Sequence, residues 1–198
     1  MGKNKMETKD IFPLLMSMSL PMVLSMLVQS LYNIIDSIYV SYLGTGALTA
    51  VSLAFPLQNI VLSVAVGIGV GIASVLSISL GKKEQERANE AATMGIALTV
   101  IHCVLFVILG LIITKPFIRL FTKEGEILKQ ACDYTYIVLC FSFGSLLQIA
   151  MEKIYQGIGA MKTTMVLLGA GAIINIILDP ILIFGLLGFP EMGVKGAA

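Results

Sequence analysis

The stretch Leu31-Tyr32-Asn33-Ile34-Ile35-Asp36 sets an acidic side chain inside an apolar run covering roughly residues 12–43. A helix of ~20 residues already crosses a ~30 Å hydrocarbon core, so this run is long enough to span a membrane with some to spare. A second acid ends the stretch Asn175-Ile176-Ile177-Leu178-Asp179, inside another such run, and Pro180 follows it directly. A carboxylate at the centre of a bilayer costs at least ~2.5 kcal/mol, so such residues face a water-filled cavity, a partner or a cation. The two acids together predict an all-α integral membrane protein with a site for a cation or a proton inside its helical bundle.

Composition agrees. Of 198 residues, 57% are hydrophobic and 13% charged, about half the charge of an ordinary soluble domain, ~25%. The mean hydropathy is +0.94. A net charge of +1, with no basic patch interleaved with aromatics, leaves no basis for nucleic-acid binding. The three cysteines, Cys103, Cys132 and Cys140, lack metal-ligand spacing and read as reduced, apolar residues. No catalytic constellation or cofactor motif points to an enzyme. Residues 1–10 are polar and mixed in charge. The apolar run behind them is too long for a signal-peptide core and no small-residue cleavage site follows, so the first helix reads as retained.

Five spans are predicted, at about 12–43, 47–80, 91–114, 134–154 and 164–188. The first two exceed the bilayer thickness and contain Pro21 and Pro56, which predicts a tilt or a kink in each. With the N-terminus inside, the inner segments carry Lys3, Lys5, Lys9, Lys82, Lys83, Arg87, Lys153 and Lys162. The outer ones carry Lys115, Arg119, Lys123, Lys129 and Lys195. That excess favours a cytoplasmic N-terminus. The ending Gly196-Ala197-Ala198 reads as the start of a sixth helix, so the chain is expected to be a fragment.

Helical spacing groups the polar residues. Gln29, Asn33 and Asp36 fall at i, i+4 and i+7 on one face, with Tyr32 beside them. Asn175 and Asp179 are at i, i+4, and Pro180 frees the carbonyl one turn back as a further oxygen. Both acids lie about 10–14 Å below the outer ends of their spans at 1.5 Å per residue. Two acids within a few ångströms of one another would titrate as a coupled pair, and such a pair can exchange a proton for Na⁺. The alternative is that each Asp is packing glue between helices, a role that Asn or Ser would fill at lower cost.

Weaker features have plainer readings. Gly67-Ile68-Gly69-Val70-Gly71 lies in an apolar helix and follows no strand. It is expected to give close helix packing at Gly67 and Gly71 rather than a nucleotide loop. Gly157-Ile158-Gly159 and Gly169-Ala170-Gly171 suggest a bend and a packing face. His102 reads as a packing residue. Gln58 and Gln148 read equally as cavity lining or as interhelical hydrogen-bonding groups. Glu152 reads as solvated or paired with Lys153.

The stretch Leu31-Tyr32-Asn33-Ile34-Ile35-Asp36-Ser37-Ile38-Tyr39-Val40, followed by Leu43-Gly44-Thr45-Gly46-Ala47-Leu48, resembles the first helix and loop of the multidrug and toxic compound extrusion (MATE) transporters. So do Gln156-Gly157-Ile158-Gly159, Asn175-Ile176-Ile177-Leu178-Asp179-Pro180 and Gly193-Val194-Lys195-Gly196-Ala197-Ala198. The resemblance covers nearly the whole chain and is nearest to the bacterial branches. It implies one lobe of a twelve-helix transporter, here residues 1–198 as the N-terminal lobe, with the C-terminal lobe of the same protein as its missing partner. It also implies a multi-pass protein of the bacterial plasma membrane that exports cationic amphipathic compounds in exchange for Na⁺ or H⁺. The family's cation site maps onto Asp36, Tyr32, Asn175 and Asp179, with Na⁺ held by Asp36, Asp179 and Asn175. Gln29, Asn33, Gln58 and Gln148 are the candidates for lining the cavity.

Other classes fit less well. A flippase of the same superfamily, moving a lipid-linked oligosaccharide, would want cationic residues in its cavity, whereas the mid-span charges here are acidic. An intramembrane aspartyl protease would want Gly before its second Asp, where this chain has Leu178. A channel would want a filter signature, which is absent.

Overall fold

A computed structural model of the chain describes residues 10–123 and 125–198. Lys3, Lys5 and Lys9, which entered the orientation argument, lie outside the described residues. The described residues form, in order, the α-helices α1 (Ile11–Tyr42), α2 (Thr45–Gly81), α3 (Gln85–Arg119), α4 (Gly125–Cys140), α5 (Ser142–Gly157) and α6 (Met161–Phe184). Short 3-10 turns occupy Leu186–Gly188 and Gly193–Ala197. Among the described residues, α1, α2, α3 and α6 are each long and apolar enough to cross a membrane, and α4 with α5, bent by 44° at their junction, pass the same test together. Much of this apolar surface is exposed: only 11% of the most apolar window of α1 is buried. In water that would be a large uncompensated hydrophobic cost; in lipid it is the expected outer surface. The protein is an all-α, multi-pass membrane protein.

The helices form two groups. The longest, α2, sits at the centre of one group and packs against α3, α4 and α5. Its buried side is lined at helical spacing by small residues, Ala47, Ala50, Ala54, Ala65 and Gly69, which let neighbouring backbones come close. Gly157, at the end of α5, lies so near α2 that a Cβ there would meet the Ala73 Cα at 3.1 Å. Ser77 Oγ, on α2, donates to the Gly157 carbonyl at 2.9 Å. The other group is α1 with α6, which pack chiefly on each other. They run parallel, and the rings of Tyr39 and Phe184 meet edge to face at 6.4 Å near their C-terminal ends. We call that end of the molecule the upper end. There the Gly193–Ala197 turn fills the space between α6, α4 and α1. Val194 is buried with Val40, Ala47, Ala54 and Tyr134, and Lys195 Nζ is 3.1 Å from Asp133 Oδ2 on α4. Gly196 has to be glycine, because a Cβ there would lie 2.7 Å from the Leu182 carbonyl carbon.

The structure departs from the sequence expectations in several places. The fourth span is broken between Cys140 and Ser142, where the sequence has no proline. There Ser142 Oγ donates to the Leu139 carbonyl at 2.8 Å, a local side-chain bond that competes with the helical ladder, and Gly144 follows. The third helix runs from Gln85 to Arg119 rather than over 91–114, taking Lys115 and Arg119 out of the connector. The last helix stops at Phe184, where Gly185 adopts a left-handed conformation, φ 68°, which glycine enters without steric cost. Gly67 and Gly71 have nothing within 4 Å of a would-be Cβ, and neither have Gly169 and Gly171. The close approach on α2 is at Gly69, against the stem of Lys153.

Candidate functional site

Between the α1–α6 pair and the α2–α5 group lies a cavity of about 930 Å³. α1 contributes Gln29, Tyr32, Asn33, Asp36 and Ser37 to its wall, and α6 contributes Asn175 and Asp179. The i, i+4, i+7 stripe on α1 and the i, i+4 pair on α6 therefore face the same space. Asp36 is six residues before the end of α1 and Asp179 five before the end of α6, which places both roughly 8–9 Å below the upper helix ends at 1.5 Å per residue. Asp36 and Asp179 share this cavity with the phenols of Tyr32 and Tyr134. Pro180 has no amide hydrogen for the Ile176 carbonyl one turn earlier; Ile176 is not among the residues that line the cavity.

The opposite wall differs in character. It presents Val51, Phe55, Leu62 and Ala65 of α2, Phe141 at the helix break, and Leu146 and Ile149 of α5. Gln58 and Asn59 interrupt the apolar surface of α2. Gln58 Nε2 donates to Tyr134 Oη on α4 at 3.3 Å, so Gln58 both lines the cavity and bonds between helices. The bend between α4 and α5 is what turns Phe141, Ser142 and Ser145 into this space.

Asp36 is the unsettled member of the site. Its Oδ1 is buried and has no hydrogen-bond partner. A buried acceptor without a donor carries a desolvation penalty of about 1–3 kcal/mol, more when charged. The Asp179 carboxylate, Asn175 amide and Tyr32 hydroxyl line the same cavity as that oxygen. Among the described residues that line the cavity, the charged side chains are these two aspartates, with no Lys, Arg or His.

Of the eight residues singled out from the sequence, Asp36, Asp179, Asn175, Tyr32, Gln29, Asn33 and Gln58 line this one cavity. Gln148 does not; it is exposed on α5 outside the lining set. Its neighbours Leu146 and Ile149 take the inward positions, a 100° step per residue putting Gln148 elsewhere on the helix. His102 packs near Phe106, ring centroids 6.5 Å apart, and Glu152 pairs with Lys153 at 3.2 Å. Sequence reasoning passes over Tyr134, which is 4% exposed and lines the same cavity as the acids. The available signal was an aromatic hydroxyl within the amphipathic stretch Ala131-Cys132-Asp133-Tyr134-Thr135-Tyr136.

The MatE family model matches residues 21–181. The probable multidrug resistance protein YoeA of Bacillus subtilis is 31% identical over 186 residues, covering 92% of this chain and 40% of that protein. The FAD transporter of Shewanella oneidensis is 31% identical over 187 residues, covering 93% of this chain and 41% of that protein. The outward-facing structure of a multidrug resistance MATE family transporter superposes with a TM-score of 0.87 at 33% identity, over 93% of this chain and 40% of that one. The chain thus spans about 40% of the length of the curated relatives it matches.

Proposed function

From a chain that belongs to the MatE family, we propose a secondary antiporter that exports cationic amphipathic compounds in exchange for Na⁺ or H⁺. The observation that carries this reading is the cavity whose charged side chains are Asp36 and Asp179 and whose facing wall is apolar. A cargo with a positive head and an aromatic or aliphatic body meets both demands: charge on the α1–α6 side, burial against Phe55, Phe141 and Leu62 on the other. The coupling ion competes for the same carboxylates. An ion bound at Asp36 and Asp179 removes the charge that holds the cargo, and a bound cargo displaces the ion, so occupancy of one lowers affinity for the other. Asn175 and Tyr32 complete the ion's oxygens, while Asn33 and Gln29, one and two turns lower on α1, offer polar contacts to the cargo.

The relative named as an FAD transporter raises an anionic cargo as a second reading, and a flippase for a lipid-linked oligosaccharide would have the same need. Two carboxylates with no cationic side chain in the lining disfavour both. The activity proposed is that of an assembly in which a second helical lobe closes the open side of this cavity and the two move about it. We place that assembly in the bacterial plasma membrane with the N-terminus of this chain in the cytoplasm.

Ion-driven efflux of a cationic dye from vesicles carrying the intact transporter tests the reading. Asp36→Asn abolishes uphill export at normal expression, because an amide neither releases a proton nor balances a bound cation. Asp179→Asn weakens export less, since Asp36 and Asn175 still offer oxygens. Wild-type efflux in Asp36→Asn would reduce that residue to packing glue and remove the centre of the proposal.

A further inference from the structure

We propose that the exposed face of α3 binds an anionic phospholipid, its phosphate held between Lys115 and Arg119 and an acyl chain lying along Ile101, Leu105, Ile108 and Ile112. The site is outside the cavity and stands whether or not the export reading does. It is built from one helical stripe. Residues 101, 105, 108, 112, 115 and 119 follow one another at alternating steps of four and three, so they share one face of α3. The first four are apolar and 44–64% exposed; the last two are exposed cations. The opposite face, with Cys103, Phe106, Gly110, Thr114 and Ile118, is the buried one. Among the described residues none of α3 lines the cavity, so the stripe is not on the wall that a second lobe would close.

Depth and charge both select a lipid. From Ile101 to Ile112 the helix rises about 16 Å at 1.5 Å per residue, close to one leaflet's half, ~15 Å, of a ~30 Å hydrocarbon core. Between Glu90 and Lys115 the helix has no Asp, Glu, Lys or Arg. The stripe therefore turns from apolar to cationic where acyl chains give way to headgroups. Lys115 and Arg119 are one turn apart, with Cβ atoms ~5–6 Å from each other, which lets both reach one phosphate. The guanidinium forks onto two of its oxygens and the ammonium adds a point charge. Neither cation is engaged within the protein: the ion pairs among the described residues take Arg87, Lys153 and Lys195. The helix dipole accounts for Arg119 in the last turn, but not for Lys115 one turn below it. On the orientation read from the sequence, both stand on the outer side, against the usual bias of Lys and Arg toward the cytoplasm. An anionic headgroup gives them a partner there. A zwitterionic headgroup brings a cation of its own, and a free phosphate leaves the apolar stripe without a role.

Native mass spectrometry of the intact transporter, released from micelles that hold phosphatidylglycerol or phosphatidylcholine, gives the affinity for each lipid. A Lys or Arg at a membrane surface contributes a factor of about five toward an anionic headgroup. Phosphatidylglycerol is therefore expected to bind roughly 25-fold more tightly than phosphatidylcholine. Lys115→Gln and Arg119→Gln should each lose about fivefold of that preference, and the double variant nearly all of it. Lys115→Arg, which keeps the charge, retains the preference and serves as the second variant if the glutamine chains fail to fold. Lys129→Gln removes an exposed cation of α4 that is not on the stripe, and it should leave the preference unchanged. Glycerol phosphate, which has the anion without the chains, should not compete. Equal affinity for the two lipids overturns the proposal, as does an unchanged preference in the double variant. So does a loss in Lys129→Gln as large as in Arg119→Gln, which would mean diffuse attraction. Competition by glycerol phosphate would make the site one for a free anion, and a dimer that Arg119→Glu dissociates would give the face to a second copy; either result overturns it too.

Discussion

A methyl group added at residue 69 should be felt on another helix, through a lysine. Gly69 on α2 lies under Lys153 of α5: a Cβ there would sit 2.5 Å from Lys153 Cγ and 3.2 Å from Lys153 Cβ. Carbon atoms rest at ~3.5–4.0 Å, so in Gly69→Ala the lysine stem has to retreat by about 1 Å. Its ammonium is held at 3.2 Å from Glu152 Oε1 and 3.0 Å from Gln156 Oε1, and Gln156 Nε2 closes the ring onto Glu152 Oε1 at 2.7 Å. The side chains of Lys153 and Glu152 are 17% and 18% exposed, so water replaces a broken bond poorly. Overpacking costs about 1–3 kcal/mol and a lost charge-assisted hydrogen bond about 1.5–3 kcal/mol, while replacing glycine by alanine in a helix returns about 1 kcal/mol. The net loss is about 1.5–5 kcal/mol, which for a chain of this size lowers the melting temperature by roughly 3–20 °C. Thermal melts of the purified chain in detergent measure it. The internal control is Lys153→Ala, which removes the stem. In that background Gly69→Ala should cost less than ~1 kcal/mol, most of the overpacking having gone. Equal drops in both backgrounds, or no drop in the wild-type background, would refute the assignment of Gly69 to the α2–α5 seam.

The packing sets further outcomes. Gly171→Ala, on α6 with nothing within 4 Å of the new methyl, should leave melting unchanged or raise it slightly, by up to ~1 kcal/mol from helix propensity; a loss of several degrees would mean a neighbour touches that face. The Lys195–Asp133 pair is half exposed on the lysine side, 50% against 30%, so Lys195→Ala should cost no more than ~1 kcal/mol in the same melts. Val194→Asp, by contrast, puts a charge into the cluster of Val40, Ala47 and Tyr134, and its melt should fall well below that of Lys195→Ala.

Much of the site was legible in the sequence because depth along a spanning helix can be counted. Residue spacing set Asp36 and Asp179 at matching depth and put the polar residues one and two turns from Asp36 on its face of the helix, and all of them line one cavity. Gln148 shows the limit. An amide near mid-span carries no record of which way its helix is turned, and α5 is turned by a break that no proline announces. The glycine run on α2 held more information than its spacing of two suggests. Gly69, not Gly67 or Gly71, continues the phase Ala47, Ala50, Ala54, Ala65, and that phase identifies the packed face. Tyr134 was hidden for a different reason. Its hydroxyl accepts from Gln58, on another helix, and a contact between α2 and α4 is a property of the fold and not of either segment.

The pairing of α1 with α6 has a consequence for how the chain is made. α1 is the first of these helices to leave the ribosome and α6 the last, with all of α2–α5 between them. Until residue 179 has been synthesised and α6 inserted, Asp36 has no companion acid, and the face of α1 that α6 will cover is turned to lipid or to a temporary partner. Contacts so distant in sequence close slowly. The newborn chain therefore passes through a stage in which its most costly residue in hydrocarbon is already in the membrane and the helix that shelters it is not. Insertion machinery or a chaperone that holds α1 during that interval would serve the protein at its most exposed moment, and a ribosome that pauses within α5 would prolong it.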